Sequence, residues 1–226
     1  MFSQFSDPIP VAQVPLVPPE WDSVLPDRWD WHSLESLGAF SLWNGSRAVE
    51  QPTTLRLCAS ADEFFIRFEC ADRDIWGTYP SRDMPLYEEE VVEAFLAPGG
   101  EDPLDYYEFE VSPLGVLFDA RVHNPGNRRH PGFTVDLAWD CNGVRWWAGI
   151  EAGRQSWWAV LGIPWRSLCP YGDIPAVWRA NFYRIERPRD GLPEYSGWSP
   201  TLTPEPDFHV SARFGLLTVS ALLKPA

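Results

Sequence analysis

Tyr87-Glu88-Glu89-Glu90-Val91-Val92-Glu93-Ala94-Phe95-Leu96-Ala97-Pro98 is an acidic cluster that runs straight into an apolar segment. From Val91 the side chains alternate. Val91, Glu93, Phe95 and Ala97 share one face, and Val92, Ala94 and Leu96 share the other. A period of two marks a β-strand. Glu93 is the one charge within it, on a face that is otherwise apolar. Burying a lone carboxylate is expensive, so Glu93 calls for a partner, a ligand or water. The register predicts Glu93 on a central strand, with Phe95 pointing into the core beneath it.

The flanking segments read as hairpins. Thr54-Leu55-Arg56-Leu57-Cys58-Ala59 alternates, turns through Ser60-Ala61-Asp62-Glu63, and returns over residues 64–70. The loop 78–86 then leads to the acidic strand. Residues 106–111 and 116–121 form a second pair around Ser112-Pro113-Leu114-Gly115, which is turn chemistry. Residues 123–130 are loop. Residues 144–151 and 156–164 form a third hairpin through Gly153-Arg154-Gln155, followed by a short helical turn over 165–168. Residues 178–186 make a long alternating strand. The Gly- and Pro-rich loop 187–206 holds Trp198, and 213–219 is the last strand.

About nine strands, one helical turn and no break in composition predict an all-β fold, a single two-sheet antiparallel β-sandwich in jelly-roll or immunoglobulin-like style. Residues 1–30 are rich in proline (Pro8, Pro10, Pro15, Pro18, Pro19, Pro26) and predict an extended lead-in laid over a domain of residues 31–226. Trp29, Trp31, Phe40 and Trp43 read as core lining or as a clamp on that lead-in.

With 226 residues, 45% of them hydrophobic, the chain has enough apolar surface for a sizeable core in one β domain. Its 13 Trp residues are unusual, and Trp suits stacking on flat apolar faces. A formal net charge of −14 argues against nucleic acid and anionic membrane surfaces as partners.

Cys58, Cys70, Cys141 and Cys169 form no CxxC and no zinc-type spacing. The first hairpin sets Cys58 opposite residue 65, so Cys70 lies too far away to bridge. All four read as small core or surface residues, consistent with a reducing compartment. The start Met1-Phe2-Ser3-Gln4-Phe5 lacks the basic and apolar regions of a secretory signal, and no apolar run approaches the ~20 residues of a membrane span. As written, the expected location is cytoplasmic; a removed signal or a different start codon would make it extracellular.

Eight short motifs occur in a fixed order: Thr54-x-Arg56-Leu57, Asp72-x-Asp74-Ile75, Tyr87-x-x-Glu90-Val91-Val92-Glu93-x-Phe95-Leu96, Tyr106-Tyr107-Glu108-Phe109, Ile163-Pro164-Trp165-x-x-Leu168, Trp178-Arg179-x-Asn181-Phe182-x-Arg184-Ile185, Trp198-Ser199-Pro200 and Phe208-His209-x-x-x-Arg213-Phe214-Gly215. This set resembles family 9 carbohydrate-binding modules, part of the wider DOMON-like β-sandwiches, from about Trp31 to Val219.

The resemblance implies a non-catalytic protein that binds a small saccharide or glycan end. Two aromatic rings would sandwich a terminal sugar while charged and amide side chains hold its hydroxyls. By position, Glu93 is the acid and Trp198 the C-terminal aromatic. Tyr87 and Trp76 are both candidates for the first aromatic, and Arg121 for the basic partner. The expected groove sets Trp198 across from an aromatic of residues 74–87, over a floor made by Glu93. Tyr107, Glu108 and Glu110 read as sheet and rim residues.

Relatives of this kind often hold structural calcium. Asp72 and Asp74, with Asp83 and Glu88 to Glu90, offer the hard oxygens it wants; a solvated acidic loop is the other reading. Stand-alone members also allow a degenerate module that acts as a protein-interaction or scaffold domain without binding sugar.

Enzyme chemistry finds no support. A glycosidase needs two carboxylates ~5–10 Å apart, but carboxylates are too plentiful here to be evidence. The chain has no G-x-S-x-G, H-E-x-x-H or Walker loop. Haem ligation by Met84 with His123, His130 or His209 would place Met84 in a loop with no histidine set against it.

Overall fold

A computed structural model of the chain describes residues 8–21, 23–126, 131–151, 153 and 155–222. Its strands are β1 (Val11–Val14), β2 (Ser41–Leu42), β3 (Thr53–Ala59), β4 (Glu63–Ala71), β5 (Val91–Pro98), β6 (Asp105–Val111), β7 (Leu117–His123), β8 (Thr134–Asp136), β9 (Arg145–Ile150), β10 (Ser156–Pro164), β11 (Val177–Glu186), β12 (Glu194–Gly197) and β13 (Gly215–Val219). A helical turn, α1 (Trp165–Leu168), follows β10. The large sheet runs β1-β13-β11-β5-β6-β7-β8, with β12 and β2 attached beyond β11; the small sheet runs β3-β4-β10-β9. The two sheets form the expected β-sandwich.

Nine of these strands were legible as alternating segments. The four that were not (β1, β2, β8 and β12) have two to four residues each, too few to display a period. One of them joins the lead-in to the sheet: β1 pairs in parallel with β13, from Val11↔Leu216 to Val14↔Val219. Trp21 of the same segment and Trp31 just after it are buried with Phe65 and Val160 on the outer face of the small sheet.

Both faces of β5 are buried. Val92, Ala94 and Leu96 point between the sheets, where they meet Phe68, Phe109, Trp157 and Phe182. Val91, Phe95 and Ala97 point the other way, into a second apolar cluster with Tyr106, Phe118, Tyr183, Phe208 and Phe214. Phe95 is therefore buried as its register requires, but not between the sheets. Loop residues 206–214 and the 3-10 turn Leu86–Glu88 cover the outer face, and a strand covered on both sides carries no mark of which side is the main core.

The first hairpin has the expected register, with Cys58 opposite Phe65 and Cys70 opposite Thr53. All four cysteines are free and buried. Burial pushes the thiols of Cys58, Cys70 and Cys141 up to about 12, so they stay protonated and unreactive. No helix among the described residues is long and apolar enough to cross a membrane.

Arg184 on β11 is fully buried and lies 3.0 Å from Asp72 and 3.6 Å from Glu90. It also donates to the Ala71 carbonyl at 2.7 Å. Trp157 Nε1 donates to the same Asp72 carboxylate. One cation facing two acids is balanced when one acid keeps its proton. Burial pushes Glu90 up to about 9, against the opposing pull of Arg184.

Glu90 thus holds a proton in the fold that the unfolded chain releases near its ordinary value of 4.5. Its contribution to stability is complete below that value and is lost as pH rises toward 9. Thermal melts between pH 6 and pH 9 are expected to show a falling Tm, with Glu90→Gln flattening the slope. A Tm that rises over that range, or an unchanged slope in the variant, would contradict the shared proton.

Candidate functional site

A groove of about 590 Å³ opens on the outer face of the large sheet, away from the small one. That is within the usual range for small-molecule sites, ~300–1,000 Å³. β5 crosses its middle. The pairing Glu93↔Glu110 and Glu93↔Tyr183 puts Glu93 between β6 and β11. Alternation along β6 sends Tyr106, Glu108 and Glu110 to this face, and Tyr107 and Phe109 to the inter-sheet core.

The walls are aromatic. On the β7 side stands Tyr87, 47% exposed, in the middle of the turn Leu86–Glu88 and edge-on to Phe118 with centroids 6.4 Å apart. On the β11 and β12 side, Phe208 stacks on Tyr183 at 4.1 Å and 9°. Tyr195 meets Phe208 edge-on at 6.1 Å. Arg187 donates to the Tyr195 hydroxyl at 2.8 Å. Glu88, Asp207 and His209 add polar groups to the lining. His209 Nδ1 lies 2.7 Å from the Tyr106 hydroxyl, and Asn124 donates to its carbonyl, which fixes the ring in place.

Glu93 is not a lone charge. It shares the floor with Glu108 and Glu110, and the three are 3%, 5% and 0% exposed. Burial, then the neighbouring Glu93 and Glu108 charges, hold Glu110 well above the ordinary carboxylate value. The backbone amide of Tyr87 opposes that shift.

Of the residues expected to meet here, Glu93 and Tyr87 line one groove and three others do not. Trp198 is buried in the inter-sheet core, tilted against Phe182 at 5.9 Å. Strand parity is the reason. Tyr195 pairs with Ile185 on the groove face, and three residues on, the Trp198 amide bonds the Phe182 carbonyl on the inner face. The groove aromatic of this segment is therefore Tyr195. Trp76 donates from Nε1 to the Arg187 carbonyl and pins that loop from outside the groove. Arg121 pairs with Tyr107 across β6 and β7, so it lies on the opposite face from Phe118, and it bridges to Asp136 at 3.3 Å.

The calcium candidates Asp72 and Asp74 do not fit a cation. Asp72 faces Arg184 and Trp157, and Asp74 accepts from the Arg189 amide at 2.7 Å and meets its guanidinium at 3.2 Å. Positive groups and N–H donors hold both. His209 and His123 are likewise engaged, by Tyr106 and Asp105, and His130 lies outside the described residues.

Phe208, Tyr195, Arg187 and His209 were missed as site residues. They come from loops and a four-residue strand with no period to read, although Phe208-His209 was visible as a motif.

A β-sandwich with an aromatic-walled, carboxylate-floored groove on one sheet is the architecture of a carbohydrate-binding domain. The model for carbohydrate-binding family 9 matches residues 40–219. The chain belongs to that family, whose members are non-catalytic binding modules, and it is not an enzyme. Solved structures share the fold. A candidate carbohydrate-binding protein from Bacteroides uniformis superposes with TM-score 0.69 at 20% identity, covering 93% of this chain and 97% of that one. A family 9 module from Caldicellulosiruptor kristjanssonii, solved with glucose and with cellotriose, superposes with TM-score 0.64 at 11% identity, covering 96% and 99%. A curated protein of Arthroderma benhamiae, described as an extracellular protein, is 27% identical over 211 residues, 91% of this chain and 88% of its own length.

Proposed function

We propose that this chain binds one or two units of a neutral saccharide in the groove over Glu93. Tyr87 stands on one side, and Tyr195 and Phe208 on the other. The observation that supports it most is this placement of rings on both sides of a buried carboxylate. A sugar ring has apolar C–H faces that suit aromatic walls and a rim of hydroxyls that suits acids. Glu93 and Glu108 accept hydroxyl protons, and Arg187 and Asp207 supply polar contacts at the rim. Gluco-configured ligands are the first to test, since the C. kristjanssonii module was solved with glucose and cellotriose. The Arthroderma relative's description supports an extracellular setting over a cytoplasmic one.

Calorimetric titration with glucose, cellobiose, cellotriose and a wider panel is the test. Tyr87→Ala is expected to weaken binding about tenfold, the worth of one aromatic contact of about 1.4 kcal/mol, with little change in Tm because Tyr87 is half exposed. Glu93→Gln is expected to weaken it further by removing charge-assisted hydrogen bonds. If no saccharide binds at millimolar concentration, the groove serves a protein partner and the scaffold reading takes over.

A further inference from the structure

A second cavity, of about 850 Å³, lies on the far side of the β11–β12 hairpin from the groove. Strand pairing separates the two. Ile185 and Tyr195 pair and face the groove, so the next pair, Glu186 and Glu194, faces the other way. The hairpin loop that walls the cavity is pinned in place. Asp74 accepts from the Arg189 amide at 2.7 Å, and Trp76 Nε1 donates to the Arg187 carbonyl.

Most charges of the lining are matched within the wall. Arg47 reaches Glu194 at 3.2 Å and Glu50 at 3.6 Å, and Arg189 reaches Asp74 at 3.2 Å. Glu186 and Arg73 differ. Glu186 is 5% exposed, and no described residue donates a hydrogen bond to it or forms an ion pair with it. Burial pushes it up to about 6, and Arg184 and Arg73 oppose that shift only through space. Arg73 is exposed and has no hydrogen bond or ion pair among the described residues. A nearly buried carboxyl without a donor is costly, and the cavity is where this one can meet a donor.

Trp43 supplies a flat wall. Its amide donates to the Tyr195 carbonyl at 3.0 Å, its carbonyl accepts from the Leu202 amide at 2.8 Å, and its indole N–H donates to the Thr203 carbonyl at 3.1 Å. With the N–H spent, the indole offers the cavity ring surface alone. Leu202 holds φ at +57°, an unfavourable conformation for a bulky side chain. The chain accepts that strain at the point where it ties Trp43 down.

We propose that this cavity is a second saccharide site, separate from the groove over Glu93, which seats one sugar ring against Trp43 and shares its hydroxyls between Arg73 and Glu186. An indole face suits the C–H face of a sugar. A guanidinium donates to hydroxyl oxygens, and a carboxyl accepts hydroxyl protons. The lining holds five carboxyls and three guanidiniums, which disfavours an anionic ligand. The second site does not rest on the reading of the first.

The test uses the full chain, with glucose and then cellobiose added while backbone and indole N–H resonances are followed. Two sets of shifts with separate dissociation constants are expected. The second set includes the Trp43 indole signal, identified by its loss in Trp43→Phe. Arg73→Ala is expected to weaken the second event about tenfold, the worth of one charge-assisted hydrogen bond. The first event and the Tm stay unchanged, because Arg73 is exposed and holds nothing in place. Glu186→Gln keeps the shape of the side chain and is expected to weaken the second event as well, whereas Tyr87→Ala weakens only the first. A single set of shifts that responds to Tyr87→Ala overturns the second site and leaves the groove standing. Two sets that survive both Arg73→Ala and Glu186→Gln overturn it too. Free phenylalanine binding there in place of sugar overturns the ligand class, since the two charges would then hold a zwitterion. Shifts that respond to Arg73→Ala and not to Tyr87→Ala support the second site and refute the groove. No shifts with either sugar refute both.

Discussion

Arg184→Met is expected to cost about 3–5 kcal/mol of folding stability, the range for removing one partner of a buried ion pair. Arg184 is fully buried between the sheets, where it faces Asp72 and Glu90 and ties down the carbonyls of Gln51 and Ala71. Met keeps most of the side-chain volume, so the loss would report on stranded charge rather than on a cavity. Asp72 would then retain only neutral donors, Trp157 Nε1 and the Asp74 amide. Adding Asp72→Asn to Arg184→Met is expected to recover part of the loss, because a neutral amide is cheaper to bury than an unmatched carboxylate. Urea unfolding followed by circular dichroism measures both. A cost below about 1 kcal/mol for the single variant would mean that water or a local opening reaches the cluster.

The second large effect concerns Trp198. Trp198→Ala is expected to destabilise the fold by about 3–5 kcal/mol, as large aromatic truncations in cores do. The ring packs on Phe182 and seals the inter-sheet core. Its seat is shaped for it: a Cβ built on Gly215 would lie 2.3 Å from the indole, so Gly215→Ala is expected to destabilise as well. Saccharide affinity of the folded Trp198→Ala protein should match the wild type. A variant of native stability that has lost sugar binding would return Trp198 to the groove and refute the placement argued from strand parity.

Trp198 also shows where reading the sequence stops. Its loop, rich in Gly and Pro, is irregular by composition, and the family resemblance offered an aromatic near this position. The four-residue strand β12 decides which way the ring points: Tyr195 faces the groove and Trp198 the core. Four residues are too few to announce a strand, and without the strand there is no parity. Arg121 sits in a long, legible strand, but it falls one residue out of phase with Phe118 and so on the other face.

Much was settled locally. The alternation of residues 91–97, the three hairpins and the helical turn at Trp165 follow from side-chain period and turn chemistry. So do the register that separates Cys58 from Cys70 and the burial of Val91 and Phe95. These depend on neighbours a few residues apart, which the sequence by itself records. The tertiary structure decided what a period of two leaves open. It assigned Val92 and Ala94 to the inter-sheet core and Phe95 to a second core, although both faces of β5 are mainly apolar. It also turned Glu93 from a lone charge into one of three. Glu108 and Glu110 reach it through the β5–β6 ladder, across 15 and 17 residues of chain. The aromatic walls come from segments still further apart, Tyr87 on one side and Tyr195 and Phe208 on the other. A site assembled by pairing strands side by side has no local signature, because the spacing that matters runs across the sheet and not along the chain.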